Sequence, residues 1–225
     1  LATTQTFKLI PSSNSENIYN IIQNQKTSTN KFDAKFDYYY LLTPKSNINF
    51  SLGTTLSGQT FTSGISQELD NGSILNFNDA VLNNNADYNF SDFFLGVHYK
   101  MVSGIFTFNP GIKLHQYTTK DTQLNTVNKD NLTKVLPDVY ANLQFKSSES
   151  LRFNYAITSQ FSDINSVAEG YILDNYNSLS RGNRNIENSL RHSYSLSYFS
   201  FSMFSFTNIH ASVNYSKSVN GVKNS

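Results

Sequence analysis

Cysteine is absent from the 225 residues, which removes disulfides, thiolate nucleophiles and cysteine-ligated metal sites together. Charge is scarce too: Asp, Glu, Lys and Arg make up 15% of the chain, against about 25% in an ordinary soluble domain. Asn, Ser and Thr take the polar positions instead. A formal net charge of +1 gives no electrostatic hold on a phosphate backbone, so no nucleic-acid partner is expected. No apolar run approaches the roughly 20 residues of a membrane helix. No basic segment, apolar core and cleavage site follow Leu1, and the chain stops at Asn224-Ser225 in mid-pattern. No secretory signal is visible, and the expectation is a piece of a longer protein.

What the chain has is alternation. From Val135 to Phe161, Val135, Pro137, Val139, Ala141, Leu143 and Phe145 share one parity, and Asp138, Tyr140, Asn142, Gln144 and Lys146 the other. After a polar turn at Ser147-Ser148-Glu149-Ser150, Leu151, Phe153, Tyr155, Ile157 and Phe161 alternate with Arg152, Asn154, Thr158 and Gln160. A period of two is the strand signature. Both arms reach the ~9–11 residues that cross a bilayer at a tilt, beyond the five or six usual in soluble domains. The apolar face is therefore expected to meet lipid and the polar face to line a barrel. A mean hydropathy of −0.40 fits, because half of each such strand faces water.

The rest of the chain repeats the theme. Phe7, Leu9 and Ile10 suggest a strand tail, and residues 11–28 a polar loop. Strands are expected from Lys31 to Leu42 and from Asn47 to Phe61 about a turn at Thr43-Pro44-Lys45-Ser46, then from Asp92 to Met101 and from Phe106 to His115 about Val102-Ser103-Gly104. A last pair runs from Leu190 to Tyr198 and from Asn208 to Ser216. Long loops are expected at residues 62–87, with the hairpin-turn signal Asp70-Asn71-Gly72, at 119–133 and at 163–189. Short turns on one side and long loops on the other are the grammar of outer-membrane barrels.

Aromatic residues mark every short turn: Tyr38, Tyr39 and Tyr40; Tyr99 and Phe106; Phe145 and Phe153; Tyr198, Phe199, Phe201, Phe204 and Phe206. Brought into one ring, they would form the aromatic girdle of a membrane interface. Pro110 and Pro137 fall inside proposed strands, where each removes a ladder hydrogen bond and marks a candidate bulge.

Chemistry has little to stand on. His98, His115, His192 and His210 lack metal-site spacing, and His98 and His115 share a face but sit on different rungs. Asp70, Asp79 and Asp87 lie in an Asn-rich stretch without the spacing of a calcium loop. No nucleophile elbow or phosphate loop occurs. Asp33, Asp37 and Asp138, alternating with Lys35, Lys146 and Arg152, read as cross-strand charge pairs inside a lumen. No catalytic residue, cofactor or metal ligand is expected.

Residues Arg181-Gly182-Asn183-Arg184-Asn185-Ile186-Glu187-Asn188-Ser189, followed by Leu190 to Tyr198, resemble the loop-to-strand signature of TonB-dependent outer-membrane receptors, especially Bacteroidetes barrels. There Gly-Asn-Pro-x-Leu-x-Pro-Glu precedes a strand ending Leu-Gly-Tyr. Gly182, Asn183, Leu196 and Tyr198 match and Ile186 stands for Leu, while Arg184, Asn188, Ser189 and Ser197 depart. The resemblance implies an all-β, antiparallel up-and-down transmembrane barrel, of which residues 1–225 would supply about eight strands of about 22. It also implies a Gram-negative outer-membrane location, with a signal peptide, a plug and closing strands outside this piece. The implied partners are outer-membrane lipid, the TonB complex reached through the plug, a surface lipoprotein, and a small ligand at the extracellular loops: siderophore, cobalamin, glycan or peptide. A plug-less barrel for adhesion or passive diffusion and a secreted soluble β-rich binding module are the alternatives.

Overall fold

The computed structural model describes residues 2–3, 19–77, 81–175, 178–184 and 188–219. Its elements are β1 Ala2–Thr3, β2 Tyr19–Thr43, β3 Ser46–Glu68, β4 Ile74–Asn76, β5 Asn83–Ser103, β6 Phe106–Gln123, β7 Thr126–Lys146, β8 Glu149–Gln160, the single helical turn α1 Ile164–Val167, β9 Ile172–Asn175, β10 Ser178–Ser180, β11 Ser189–Ser202 and β12 Thr207–Val219. One antiparallel sheet runs in the order β1-β2-β3-β5-β6-β7-β8-β11-β12, with β4 folded back on β3 and with β9 and β10 forming a separate hairpin. The eight long strands, β2, β3, β5, β6, β7, β8, β11 and β12, make an up-and-down half-barrel.

Register shows why these residues form this wall. Phe36, Leu52, Leu95, Leu114 and Val135 lie opposite one another across five strands, and all five are exposed. The adjacent row of opposite parity holds Asp37, Ser51, Gly96, Lys113 and Leu136. A continuous band of exposed Phe, Leu and Val is far more than a water-soluble surface carries, and hydrocarbon is the solvent that suits it. A secreted soluble module, one of the sequence-based alternatives, does not fit this surface.

Three expectations about loops are corrected. The strand begins at Tyr19, so residues 19–28 of the supposed loop pair with β3 from Asn20↔Glu68 onward; Phe7, Leu9, Ile10 and residues 11–18 lie outside the described residues. The 62–87 connection shrinks to 69–82, because β3 continues to Glu68 and Asn83-Asn84-Asn85 already belongs to β5. Asp70-Asn71-Gly72 does turn the chain, with Gly72 at φ 79° and its N–H donating to the Leu69 carbonyl at 2.8 Å. The supposed loop at 119–133 is a tight hairpin: β6 and β7 are paired down to Gln123↔Thr126, and Leu124 and Asn125 turn it with φ of 50° and 58°. Paired positive φ values suit the twist of a two-residue hairpin. In all three stretches the outward face is mostly polar, because there it no longer meets lipid. The 163–189 connection is long, as expected.

Neither proline makes a bulge. Opposite Pro110 the β5–β6 ladder skips a few residues and resumes in the same register, from His98↔Gly111 to Met101↔Phe108. At Pro137 the β7–β8 ladder ends, its last pair being Asp138↔Ala156. Beyond that point β8 pairs only with β11, up to Gln160↔Ser189, and the chain turns inward.

Candidate functional site

The inward parity of β5, β6 and β7 builds a polar and aromatic network. Asp138 accepts from Lys113 Nζ at 2.7 Å and meets His98 Nε2 at 2.7 Å. Asp92 meets His115 Nδ1 at 2.9 Å. Arg152 and Lys146, expected to pair with the lumenal carboxylates, do otherwise: Arg152 sits opposite Asn142, and Lys146 meets Glu149 across the short turn at 3.6 Å. The β6–β7 register decides this, since it brings Asp138 opposite Gly111, next to Lys113. Lys35–Asp37 and Lys31–Asp33 pair along β2, each at 2.9 Å.

Side-chain space is made by two glycines. A Cβ on Gly111 would collide with the His98 ring and with Asp138, and one on Gly53 would collide with the Phe94 ring. Phe94 therefore lies across the strand and stacks on His115 with centroids 5.1 Å apart; His115 stacks on Tyr117 at 5.2 Å. Tyr117 meets Phe161 at 4.5 Å, and Phe161 meets Phe90 at 4.8 Å. The column climbs the inner wall to the point where the chain leaves β8.

Among the described residues from Phe161 to Arg184 the chain lies against the inner wall, held largely by side-chain amides standing in for backbone. Gln59 Oε1 accepts from the Ile164 N–H at 3.0 Å. Gln123 donates to the Val167 carbonyl at 2.9 Å and accepts from the Glu169 N–H at 3.0 Å. Asn84 donates to the Gly170 carbonyl at 3.0 Å and accepts from its N–H at 2.7 Å. Gln23 Oε1 accepts from the Leu173 N–H at 2.6 Å. Four neighbouring strands each contribute one amide, and buried backbone groups find partners without a ladder. Asp163 caps α1, accepting from the Ser166 N–H at 2.9 Å. Ile164, Val167 and Ala168 pack with Phe61, Ala86 and Tyr88; Tyr171 and Leu173 pack on Ile21, Ile65, Phe77 and Leu82.

A cavity of about 310 Å³ lies beneath this segment, lined among others by Lys31, Ser57, Tyr88, Phe90, Phe161 and Asp163. Burial, with help from Asp121 and Asp163, pushes the Tyr88 phenol up to about 12, so it stays protonated at neutral pH. Tyr88 lies well above the exposed apolar band. The chemistry on offer is recognition of a neutral or mixed-charge ligand by hydroxyls, one amine, one carboxylate and aromatic faces.

The signature residues do structural work here. Gly182 N–H donates to the Ala168 carbonyl at 2.7 Å and Asn183 N–H to the Ser166 carbonyl at 2.8 Å; a Cβ on Gly182 would strike the backbone of both Ser166 and Ala168. Arg184, where the signature has proline, reaches Asp121 at 2.7 Å and the Thr126 hydroxyl at 2.5 Å. Ile186 lies outside the described residues, as does Asp79. Leu196 and Tyr198 point outward from β11, opposite Phe153 and Leu151, and the Tyr198 hydroxyl donates to Glu149 at 2.8 Å.

The aromatic residues near the short turns divide. Tyr38, Tyr40, Tyr99, Phe106, Phe145 and Phe153 have outward parity at one end of the sheet, and Phe206 stands exposed in the β11–β12 turn. Tyr39, opposite Asn49, and Phe199, opposite Ser150 and His210, have inward parity. His192 also faces outward, with Tyr155 Oη 3.1 Å from its Nδ1. Asp70 is in the β3–β4 turn and Asp87 on β5, so the Asn-rich loop they were expected to share is two separate structures. Sequence reading missed the amide pins. Their signal was Gln and Asn recurring at inward parity: Gln23 on β2, Gln59 on β3, Asn84 on β5 and Gln123 on β6.

Comparison with known proteins agrees with this architecture. The unliganded ferric citrate transporter FecA is similar in fold, with a TM-score of 0.52 and 10% identity over 83% of this chain and 28% of that one. The chain thus spans under a third of the length of that transporter. No curated protein matches it. The outward apolar band, the lumenal network and the up-and-down path make the half-barrel part of an outer-membrane wall, and the match of residues 2–225 to the model of the outer membrane protein beta-barrel family shows that the chain belongs to that family.

Proposed function

We propose that the chain forms part of the barrel of a TonB-dependent outer-membrane receptor that imports a ligand, and that it performs no catalysis. The observation that carries this is the segment from Phe161 to Arg184, pinned to the inner wall over a ligand-sized cavity. An ordered segment inside the wall supports a barrel that recognises its cargo over one left open for free diffusion. The polar network below it, His98–Asp138–Lys113 and His115–Asp92, offers charged hydrogen bonds to a plug occupying the lumen. FecA, by its name a ferric citrate transporter, supports the class and does not select the ligand. Siderophore, cobalamin, glycan and peptide fit the class equally, and a surface lipoprotein above the loops accords with the Bacteroidetes-type signature. The outward aromatics from Tyr38 to Phe206 serve as the girdle at the short-turn interface.

Conductance across a planar bilayer tests this without knowing the ligand. The intact protein should be closed, and should open when mild denaturant melts the plug while the barrel survives. Steady conductance in the untreated protein refutes the import reading and favours the plug-less barrel.

A further inference from the structure

We infer that the outer surface of the wall, above the apolar band, carries a binding groove for a phosphorylated lipid of the outer leaflet, with Lys120 and Lys129 as its phosphate ligands. Lys120 and Lys129 lie directly opposite each other on β6 and β7, and both are exposed. Like charges facing across a ladder repel and destabilise the pair. Among the described residues neither has a carboxylate at salt-bridge distance. Asp130 has the opposite parity, pairing with Thr119, and Asp87 lies on the same face one rung higher, opposite Thr122. An anion from outside the chain relieves the repulsion.

The groove beside the two lysines says which anion. It measures about 680 Å³ and is lined by Phe32, Leu56 and Thr118 on one rung and by Asn30, Asn89 and the two lysines on the next. Phe32 and Leu56 are a cross-strand pair, 59% and 47% exposed, and form the last outward apolar rung before Asn30 and Gly58. Lys120 belongs to the rung of Asn30, Gly58 and Asn89, two residues further along, or about 7 Å of strand. Two apolar side chains and a hydroxyl on one rung, and two amides and two amines on the next, offer both halves of a phosphorylated lipid a partner: the acyl chain below and the phosphate above. A free phosphate ion would use only the top. The groove faces away from the lumen, so it is independent of the import reading.

The test uses the intact protein in neutral detergent, titrated with dioctanoyl phosphatidic acid, dioctanoyl phosphatidylcholine and inorganic phosphate and read by native mass spectrometry. Phosphatidic acid should bind most tightly. Lys120→Gln with Lys129→Gln should weaken it about 30-fold, from about 1 kcal/mol per lysine near an anionic surface. Phe32→Asn should weaken it as well, and Lys134→Gln, which removes an amine of inward parity, should not. Without lipid the double variant should melt at or above the temperature of the parent, its repulsion having been removed. Undiminished phosphatidic acid binding in the double variant overturns the inference, as does inorganic phosphate binding as tightly as the lipid.

Discussion

Removing one amide pin should loosen the inner segment without unfolding the wall, and Gln123→Ala is the sharpest case. Gln123 is buried and holds the segment twice, through the Val167 carbonyl at 2.9 Å and the Glu169 N–H at 3.0 Å. Alanine removes both links and leaves two backbone groups in a place with little water. At roughly 1 kcal/mol for each bond, and somewhat more where the orphaned group stays dry, local docking should weaken by about 2–3 kcal/mol. Each ~1.4 kcal/mol is tenfold in an equilibrium constant, so opening becomes about 30- to 150-fold more frequent. Hydrogen exchange on the intact protein in detergent reads this directly. The reporters are the Gly182 and Asn183 amides, whose acceptors are the Ala168 and Ser166 carbonyls and which the substitution does not touch. Their exchange should accelerate by that factor while the β5–β6 ladder around Leu95 keeps its rate. Unchanged exchange at Gly182 and Asn183 would refute the claim that side-chain amides hold the segment, and acceleration shared by the ladder would show that the wall itself depends on Gln123.

Other expectations follow from the same geometry. Leu95→Arg places a charge on the outward face within the apolar band and should cost about 2–4 kcal/mol in denaturant unfolding from vesicles, whereas Asn154→Arg, of inward parity, should be mild; equal costs would reverse the assignment of faces. Gly53→Ala should destabilise by about 1–3 kcal/mol because its Cβ meets the Phe94 ring, and the cost should shrink in a Phe94→Ala background; full additivity in that cycle would mean the two residues do not touch. The Tyr88 phenol, held near 12 chiefly by burial, is raised above its unfolded value. Its contribution to stability should be complete below about pH 10 and lost as the pH climbs through 12. A phenolate difference spectrum between the parent and Tyr88→Phe, titrating at the ordinary tyrosine value, would contradict this.

The parts of the fold that were legible are those where lipid enforces a period of two. The hairpin from Val135 to Phe161, the outward rows and the eight long strands could be read because one parity in each strand is apolar and the other is not. The misread stretches obey a different rule. In β3 the outward residues Ile48, Phe50, Leu52 and Leu56 give way to Ser57, Gly58, Gln59 and Thr60, and then apolar residues return at inward parity as Phe61 and Ile65, each only 1% exposed. In β5 the outward Phe93, Leu95 and Val97 are followed higher up by inward Phe90, Tyr88 and Ala86; in β6 outward Ile112 and Leu114 yield to inward Tyr117. The strand does not break at these points. Its apolar partner changes from hydrocarbon outside to the segment from Phe161 to Arg184 inside, and a period-two reading that expects one greasy face per strand records the change as a loop. The flip of parity within an unbroken strand therefore marks the upper edge of the hydrocarbon. It falls near residues 57–60, 91–92 and 115–116 on three adjacent strands, stepping from rung to rung, which puts Lys120 and Lys129 on the headgroup side of that edge and puts the inner cavity at the mouth of the barrel and not in its depth.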